Sequence, residues 1–97
     1  ESRAIIDAGS KALTSDTLGL AGFGHILGYP EAVITSLSEE HGTIDLSAST
    51  GKPKIGEKLR IIPNHCCVVS NLFDVVNLTQ GEQVVETVPV AARGRVD

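Results

Sequence analysis

Length, composition and charge limit what this chain can be. Its 97 residues suffice for one domain with a modest core, and the apolar residues are mainly Val, Ile, Leu and Ala, which favours strands. With 8 basic and 12 acidic residues the formal net charge is −4, which argues against a nucleic-acid partner because phosphate backbones attract basic faces. No apolar run approaches the roughly 20 residues that cross a bilayer, so no membrane partner is expected.

The first part of the chain predicts short strands separated by polar turns. Residues 3–9 form an apolar run closed by glycine, as expected of a buried strand that carries Asp7 at its carboxyl end. Residues 10–16 are small and polar, which predicts an irregular turn. A further short strand is expected at 23–27, in a glycine-rich loop whose spacing does not match a dinucleotide-binding fingerprint.

A hairpin is predicted around a short acidic segment. Residues 32–37 alternate in hydropathy as a strand does, and residues 43–46 fit the returning strand. Between them lie Glu39, Glu40 and His41, which have the chemistry for acid–base work or for orienting a metal-bound imidazole. The same residues also fit a solvated turn with Gly42 at its corner, and the sequence leaves both interpretations open.

The segment 61–67, Ile-Ile-Pro-Asn-His-Cys-Cys, concentrates the side chains that bind metals. Pro63 ends a strand predicted over 58–62, because its nitrogen cannot donate to a sheet ladder. If the backbone stays extended through His65 and Cys67, both side chains point to one face, and an imidazole with a thiolate suits zinc. A helix would instead separate the pair by roughly 200°. The alternative is that the cysteines are small packed side chains.

The remaining residues predict a second hairpin. Residues 68–73 fit a short helix or a strand, whereas 74–78 and 83–90 are β-rich runs joined by a turn that contains Gly81. Pro89 restricts the last run to an edge or terminal position, and Arg93 and Arg95 are expected to leave the sheet. Six or more strands with at most one or two short helices predict a mainly β domain, a small barrel or a sandwich.

Four segments, taken in order, resemble the C-terminal domain of the D-serine dehydratase and D-threonine aldolase family. They are residues 6–13, 37–42, 62–67 and 89–94. The resemblance implies a fold like the C-terminal domain of alanine racemase. Together with the absence of any methionine, it implies that residues 1–97 are a single β-domain, the C-terminal fragment of a longer enzyme. The adjacent Cys66 and Cys67 make a disulfide framework implausible and favour a reducing cytoplasm. The N-terminal domain of that enzyme would be a TIM-like barrel that binds most of the pyridoxal phosphate cofactor.

The resemblance also implies a chemistry. Pyridoxal phosphate and a divalent metal, most simply zinc, would act on small β-hydroxy D-amino acids, by β-elimination or by retro-aldol cleavage. It assigns the metal to His65 and Cys67, with Glu40 and His41 orienting the ligands, and a cysteine at the second ligand position is more typical of the dehydratase branch. A homodimer is expected, and the isolated segment is expected to be inactive. The alternative is a β-domain that serves oligomerisation or regulation.

Overall fold

The computed structural model describes residues 2–15, 17 and 19–91. In chain order its elements are β1 (Arg3–Ile6), α1 (Ser10–Leu13), β2 (His25–Ile26), β3 (Val33–Leu37), β4 (Gly42–Asp45), β5 (Ile61–Ile62), α2 (Cys66–Asn71), β6 (Val75–Gln80) and β7 (Gln83–Pro89). The described part is therefore mainly β with two short helices, which confirms the predicted fold class. Neither helix in these ranges has the length and apolar character needed to span a membrane. Arg93 and Arg95 lie outside the described residues.

The strands form three separate antiparallel sheets. β1, β4 and β3 lie side by side in that order, β2 pairs with β5, and β6 pairs with β7. Within the described ranges none of these sheets closes into a barrel. The two hairpins expected from the sequence are confirmed as β3–β4 and β6–β7. The domain is thus an open set of small sheets.

The core is built around alternating apolar side chains of the three-stranded sheet. Ile34 of β3 and Ile44 of β4 are paired across the sheet and fully buried, whereas the neighbouring Asp45 is exposed because successive strand residues point to opposite faces. Ile26 of β2 joins the same core. Full burial of one such side chain stabilises the fold by about 1.5–3 kcal/mol, so these residues hold the first two sheets together.

Helix α1 forms where the sequence predicts an irregular turn. The Ser10 N–H donates to the Ser38 carbonyl at 2.8 Å, and the Lys11 N–H donates to the Glu39 carbonyl at 3.2 Å. Donors in the first turn of a helix have no partner within it, and here the turn between β3 and β4 satisfies them. Leu13 is buried in the core. A helix of four residues does not form alone, so contacts distant in sequence stabilise it and the prediction of a turn is wrong.

The β6–β7 hairpin is exposed on both faces. Val75, Leu78, Val84 and Val85 are each between 45% and 58% exposed, although the Arg60 guanidinium donates to the Gly81 carbonyl at the tip at 3.1 Å. A two-stranded ribbon without further packing is only marginally stable. This hairpin therefore presents apolar surface that a further domain or chain can cover.

A hydrogen bond between Tyr29 and Glu57 fixes the loop that precedes β5. The Tyr29 hydroxyl donates to Glu57 Oε2 at 2.7 Å, and the Lys54 N–H donates to Glu57 Oε1 at 2.9 Å. The bond to Glu57 raises the pKa of Tyr29, and the bond from Tyr29 lowers the pKa of Glu57. A carboxyl whose pKa is lowered by folding stabilises the fold above its ordinary pKa and stops doing so as the pH falls through the folded value. A tyrosine whose pKa is raised loses its contribution as the pH rises through the folded value.

We expect Tyr29→Phe to lower the urea concentration at the unfolding midpoint at neutral pH, because the ring remains while the hydrogen bond is lost. The difference from the original chain should shrink below about pH 4 and above about pH 10, where one partner changes charge. Urea titrations of both chains across this pH range measure it. A difference that is the same at all pH values would show that the effect does not depend on the charge of either partner, and no difference at neutral pH would show that the bond contributes nothing.

Candidate functional site

The segment that carries His65 is fixed ahead of that residue. Strand β5 ends at Ile62, which pairs with His25 of β2, and Pro63 ends the ladder there as predicted. Asn64 then donates its side-chain N–H to the Gly22 carbonyl at 2.9 Å in a half-buried position. This bond ties the chain to the loop ahead of β2, so the backbone enters α2 along a defined path.

The backbone predicted for the His65–Cys67 pair is correct for the first residue and wrong for the second. His65 has extended dihedral angles, φ −144° and ψ 115°, and is the N-cap of α2. Cys66 and Cys67 are the first two residues of that helix. The sequence of residues 68–73 allowed a strand or a helix, and the packing of α2 against α1 favours a helix that already begins at Cys66.

The helical start changes how the two side chains can meet. His65 stands outside the helix, so the roughly 200° separation of a fully helical pair does not apply. Many N-cap side chains bond the backbone of the second or third helical residue, but the His65 side chain makes no such capping hydrogen bond. Cys67 is the second residue of α2. The extended backbone at His65 therefore does not impose the separation that a fully helical pair would have.

Exposure separates the two interpretations of the cysteines. Cys66 and Cys67 are free, exposed thiols, and His65 is half-buried. Small packed side chains would be buried, so that alternative does not fit. Metals bind the thiolate form of cysteine. No group of three or more His, Cys, Asp or Glu side chains within the described ranges is placed to hold a metal.

Glu40 and His41 lie in the turn between β3 and β4. The Ser38 N–H donates to the His41 carbonyl at 2.8 Å, and the His41 N–H donates to Ser38 Oγ at 3.1 Å. Lys11 Nζ lies 3.2 Å from Glu40 and 3.4 Å from Glu39, with all three side chains exposed. The hydrogen bond to Glu40 raises the pKa of Lys11. These contacts are those of a solvated turn, which is one of the two interpretations that the sequence left open.

The acidic turn and the His65–Cys67 pair lie at different ends of α2. A cavity of about 150 Å³ is lined by Asp7, Lys11, Glu40 and Phe73 among others. Phe73 follows the C-terminal end of α2, and His65 caps its N-terminal end. A helix rises 1.5 Å per residue, so six residues separate these ends by about 9 Å. Asp7 follows β1 as predicted.

Two residues that position this region were not identified from the sequence. Asn64 carried a signal, since it is a polar residue directly after a proline in an otherwise apolar run. The sequence around Lys11 gave no such signal, because its carboxylate partners are distant in sequence and the helix that contains Lys11 was not predicted. Local patterns cannot indicate a contact whose second partner lies on another element.

Comparison with known proteins gives consistent matches along the chain. Residues 1–79 match the family model described as "Putative serine dehydratase domain". An uncharacterized protein of Mycobacterium tuberculosis (strain ATCC 25618 / H37Rv) is 39% identical over 94 residues, which cover 96% of this chain and 71% of that protein. The 3-hydroxy-D-aspartate aldolase of Paracoccus denitrificans is 36% identical over 94 residues, which cover 95% of this chain and 22% of the aldolase.

Three solved structures are also similar to this chain. The D-threonine aldolase from Filomicrobium marinum has a TM-score of 0.83 at 32% identity, covering 99% of this chain and 25% of the aldolase. The D-threo-3-hydroxyaspartate dehydratase from Delftia sp. HT23 has a TM-score of 0.72 at 28% identity, covering 91% of this chain and 27% of the dehydratase. An alanine racemase-like protein from Idiomarina loihiensis also has a TM-score of 0.72 at 28% identity, covering 90% of this chain and 26% of that protein. This chain therefore spans about a quarter of each of these solved chains.

Two further similar structures are of substituted forms of a D-threo-3-hydroxyaspartate dehydratase. One has a cysteine replaced by alanine and is in the metal-free form, and the other has a histidine replaced by alanine. The replaced histidine lies two positions before the replaced cysteine in that enzyme. His65 and Cys67 have the same order and spacing in this chain.

Proposed function

Because this chain belongs to the family of D-serine dehydratases and D-threonine aldolases, we propose that it is the metal-bearing domain of a lyase that acts on small β-hydroxy D-amino acids. Residues 1–97 are one β-domain of that enzyme, and an N-terminal barrel domain completes the active site. The related enzymes are four to five times as long as the part this chain matches, which leaves room for such a domain.

The observation that carries the proposal is the His65–Cys67 pair at the start of α2. The histidine is held at the N-cap by a segment that Asn64 anchors, and Cys67, two residues further along, has an exposed thiol. A D-threo-3-hydroxyaspartate dehydratase similar to this chain has been solved with a His and with a Cys of equal spacing replaced, and the structure of the Cys variant is of its metal-free form. This parallel supports the assignment of His65 and Cys67 as ligands.

Their donor atoms fit zinc. An imidazole nitrogen and a thiolate sulfur are both preferred zinc ligands, and two protein ligands leave positions for water and for a substrate hydroxyl. A bound divalent metal supplies Lewis acidity, which makes a hydroxyl a better leaving group. His65 and Cys67 hold the ion in place. Both are reachable from solvent, so a substrate can approach from the open side.

Lys11 is the one lysine in the four segments that resemble the family, and its surroundings do not fit pyridoxal phosphate. Lys11 is paired with both Glu39 and Glu40, and two carboxylates beside it would repel a phosphate. We therefore assign the cofactor mainly to the barrel domain, where it would stabilise a carbanion at the substrate Cα. The apolar side chains exposed on both faces of β6–β7 support a covering domain.

The test of this proposal is an assay of the complete protein that contains residues 1–97. We expect it to convert D-serine, D-threonine or D-threo-3-hydroxyaspartate, with keto acid formed by a dehydratase and glycine formed by an aldolase. The L-enantiomers serve as controls. A chelator should abolish the reaction and added zinc should restore it. Turnover that a chelator leaves unchanged, or no turnover of any of these D-amino acids, would refute the proposal.

Glu40 provides a test of how far the catalytic machinery extends. Glu40 lies with Lys11 at the end of α2 that is distant from His65. We therefore expect Glu40→Gln to change turnover of the complete enzyme by less than about threefold. Loss of a residue that orients a metal ligand would instead lower turnover by about 10–100-fold. Glu39→Gln, which removes the other carboxylate on Lys11, is the matched control. A loss of tenfold or more from Glu40→Gln alone would establish an orienting role.

A second function is favoured by one relative. This domain makes up 71% of the Mycobacterium tuberculosis protein, and the remainder of that protein is too short for a barrel of about 250 residues. In such a chain the β-domain would act in oligomerisation or regulation. A complete protein that binds no pyridoxal phosphate and turns over no D-amino acid would support this function.

A further inference from the structure

Helix α2 begins with two cysteines on adjacent residues. The thiols of Cys66 and Cys67 are both free and exposed, whereas a cysteine that serves only in packing is usually buried. The proposed metal site uses Cys67 with His65 and leaves the thiol of Cys66 without a role. Two exposed thiols on neighbouring residues are a chelating pair, and the sequence contains no other cysteine.

The helical backbone determines what these two sulfurs can bind. Consecutive Cα atoms are about 3.8 Å apart, which is less than the roughly 4.4–6.8 Å found at most disulfides, so a bond between the two sulfurs would strain the first turn of α2. The two side chains also point about 100° apart around the helix axis. A single tetrahedral atom bonded to both sulfurs by bonds of about 2.3 Å holds them roughly 3.8 Å apart, against about 2.05 Å in a disulfide. The pair therefore suits a bridging atom better than a direct bond.

We propose that Cys66 and Cys67 form a dithiol site for thiophilic atoms of the class of trivalent arsenic. Sulfur ligands select soft acceptors, and once the first sulfur is bonded, the second is held close to the same atom at a high effective concentration. An organoarsenic oxide, R–As=O, condenses with the two thiols. The As=O bond breaks, two As–S bonds form, and the two S–H protons leave with the oxide oxygen as water. Arsenic remains trivalent, so the step requires no oxidant.

The dithiol site shares one atom with the proposed zinc site. His65 and the sulfur of Cys67 would hold the zinc, and Cys66 takes no part there, whereas arsenic occupies both sulfurs. A sulfur that is bonded to arsenic is no longer a free thiolate for the metal, so occupation of the dithiol site should release the zinc. This consequence, unlike the dithiol site itself, rests on the proposed function.

Phenylarsine oxide is the probe, and the complete protein, freed of metal by a chelator, is the target. After incubation with the probe, excess glutathione removes arsenic that is held by one thiol only, and iodoacetamide then labels free thiols. Trypsin should release residues 61–93, in which Cys66 and Cys67 are the only cysteines. We expect mass spectrometry to show this peptide with one phenylarsenic group and no iodoacetamide label.

The matched controls are Cys66→Ser and Cys67→Ser, because each keeps one exposed thiol in the same helical turn. The apparent dissociation constant of the probe should rise by about 100-fold or more in either variant, so glutathione should remove the arsenic and the remaining cysteine should be labelled. A peptide labelled at both cysteines in the original protein would overturn the proposal. Arsenic that is retained equally in either single variant would also overturn it.

The zinc-loaded complete protein distinguishes this proposal from the proposed function. Phenylarsine oxide should release zinc from the original protein, as measured with a chromogenic chelator, and about tenfold less from Cys66→Ser. Arsenic bound to both cysteines without release of zinc would support the dithiol site and contradict Cys67 as a zinc ligand. Equal release of zinc from Cys66→Ser would overturn the proposal, because displacement would then not need the second thiol.

Discussion

Replacing Cys67 with alanine in the complete protein is expected to remove the bound metal and to lower turnover by at least about 100-fold. The estimate follows because loss of a residue that merely orients a ligand already costs about 10–100-fold. His65→Ala should have the same effect, since an ion held by one protein ligand is released to solvent. Metal analysis of the purified variants and their turnover on β-hydroxy D-amino acids measure the two effects together.

Cys66 provides the control for this experiment. It is adjacent to Cys67, equally free and exposed, and belongs to the same first turn of α2, but it is not part of the His-x-Cys spacing. Cys66→Ala should therefore keep both the metal and the activity. If Cys66→Ala loses the metal while Cys67→Ala keeps it, the ligand assignment is wrong. If neither variant loses it, the metal site lies elsewhere.

Replacing Gly9 with alanine is expected to destabilise the fold by about 3 kcal/mol or more. A Cβ at this position would lie 2.4 Å from the Ser38 carbonyl oxygen and 2.5 Å from the Glu39 carbonyl carbon. Backbone atoms cannot move away as a flexible side chain does, so the contact would separate α1 from the β3–β4 turn. Overpacking costs about 1–3 kcal/mol, and the hydrogen bonds of Ser10 and Lys11 add about 1 kcal/mol each.

Thermal and urea unfolding of the folded chain measure this loss, which corresponds to a melting temperature lower by roughly 15 °C for a domain of this size. Gly51→Ala is the matched control, because the nearest atoms to a Cβ there belong to the Tyr29 ring at 3.5 Å and are in ordinary contact. It should change stability by no more than about 0.5 kcal/mol. Equal effects of the two substitutions would contradict the close approach at Gly9.

Much of the fold could be predicted because its signals are local. Alternating hydropathy indicated β3 and β4, and a glycine turn between two β-rich runs indicated β6 and β7. Pro63 marked the end of β5 by removing a donor from the ladder. The strands expected at 23–27, within the glycine-rich loop, and at 58–62 prove shorter, as β2 and β5, because propensity does not specify where a pairing partner ends.

The sequence by itself determined the class of the fold and the family, and it identified His65 and Cys67 as the candidate ligands. The tertiary structure decided that α1 and α2 are helices and that Cys67 lies in the first turn of α2 while His65 caps it. It also decided that the acidic turn pairs with Lys11. The physical reason is nucleation: helices of four and six residues are too short to form alone, so packing partners distant in sequence determine whether they exist.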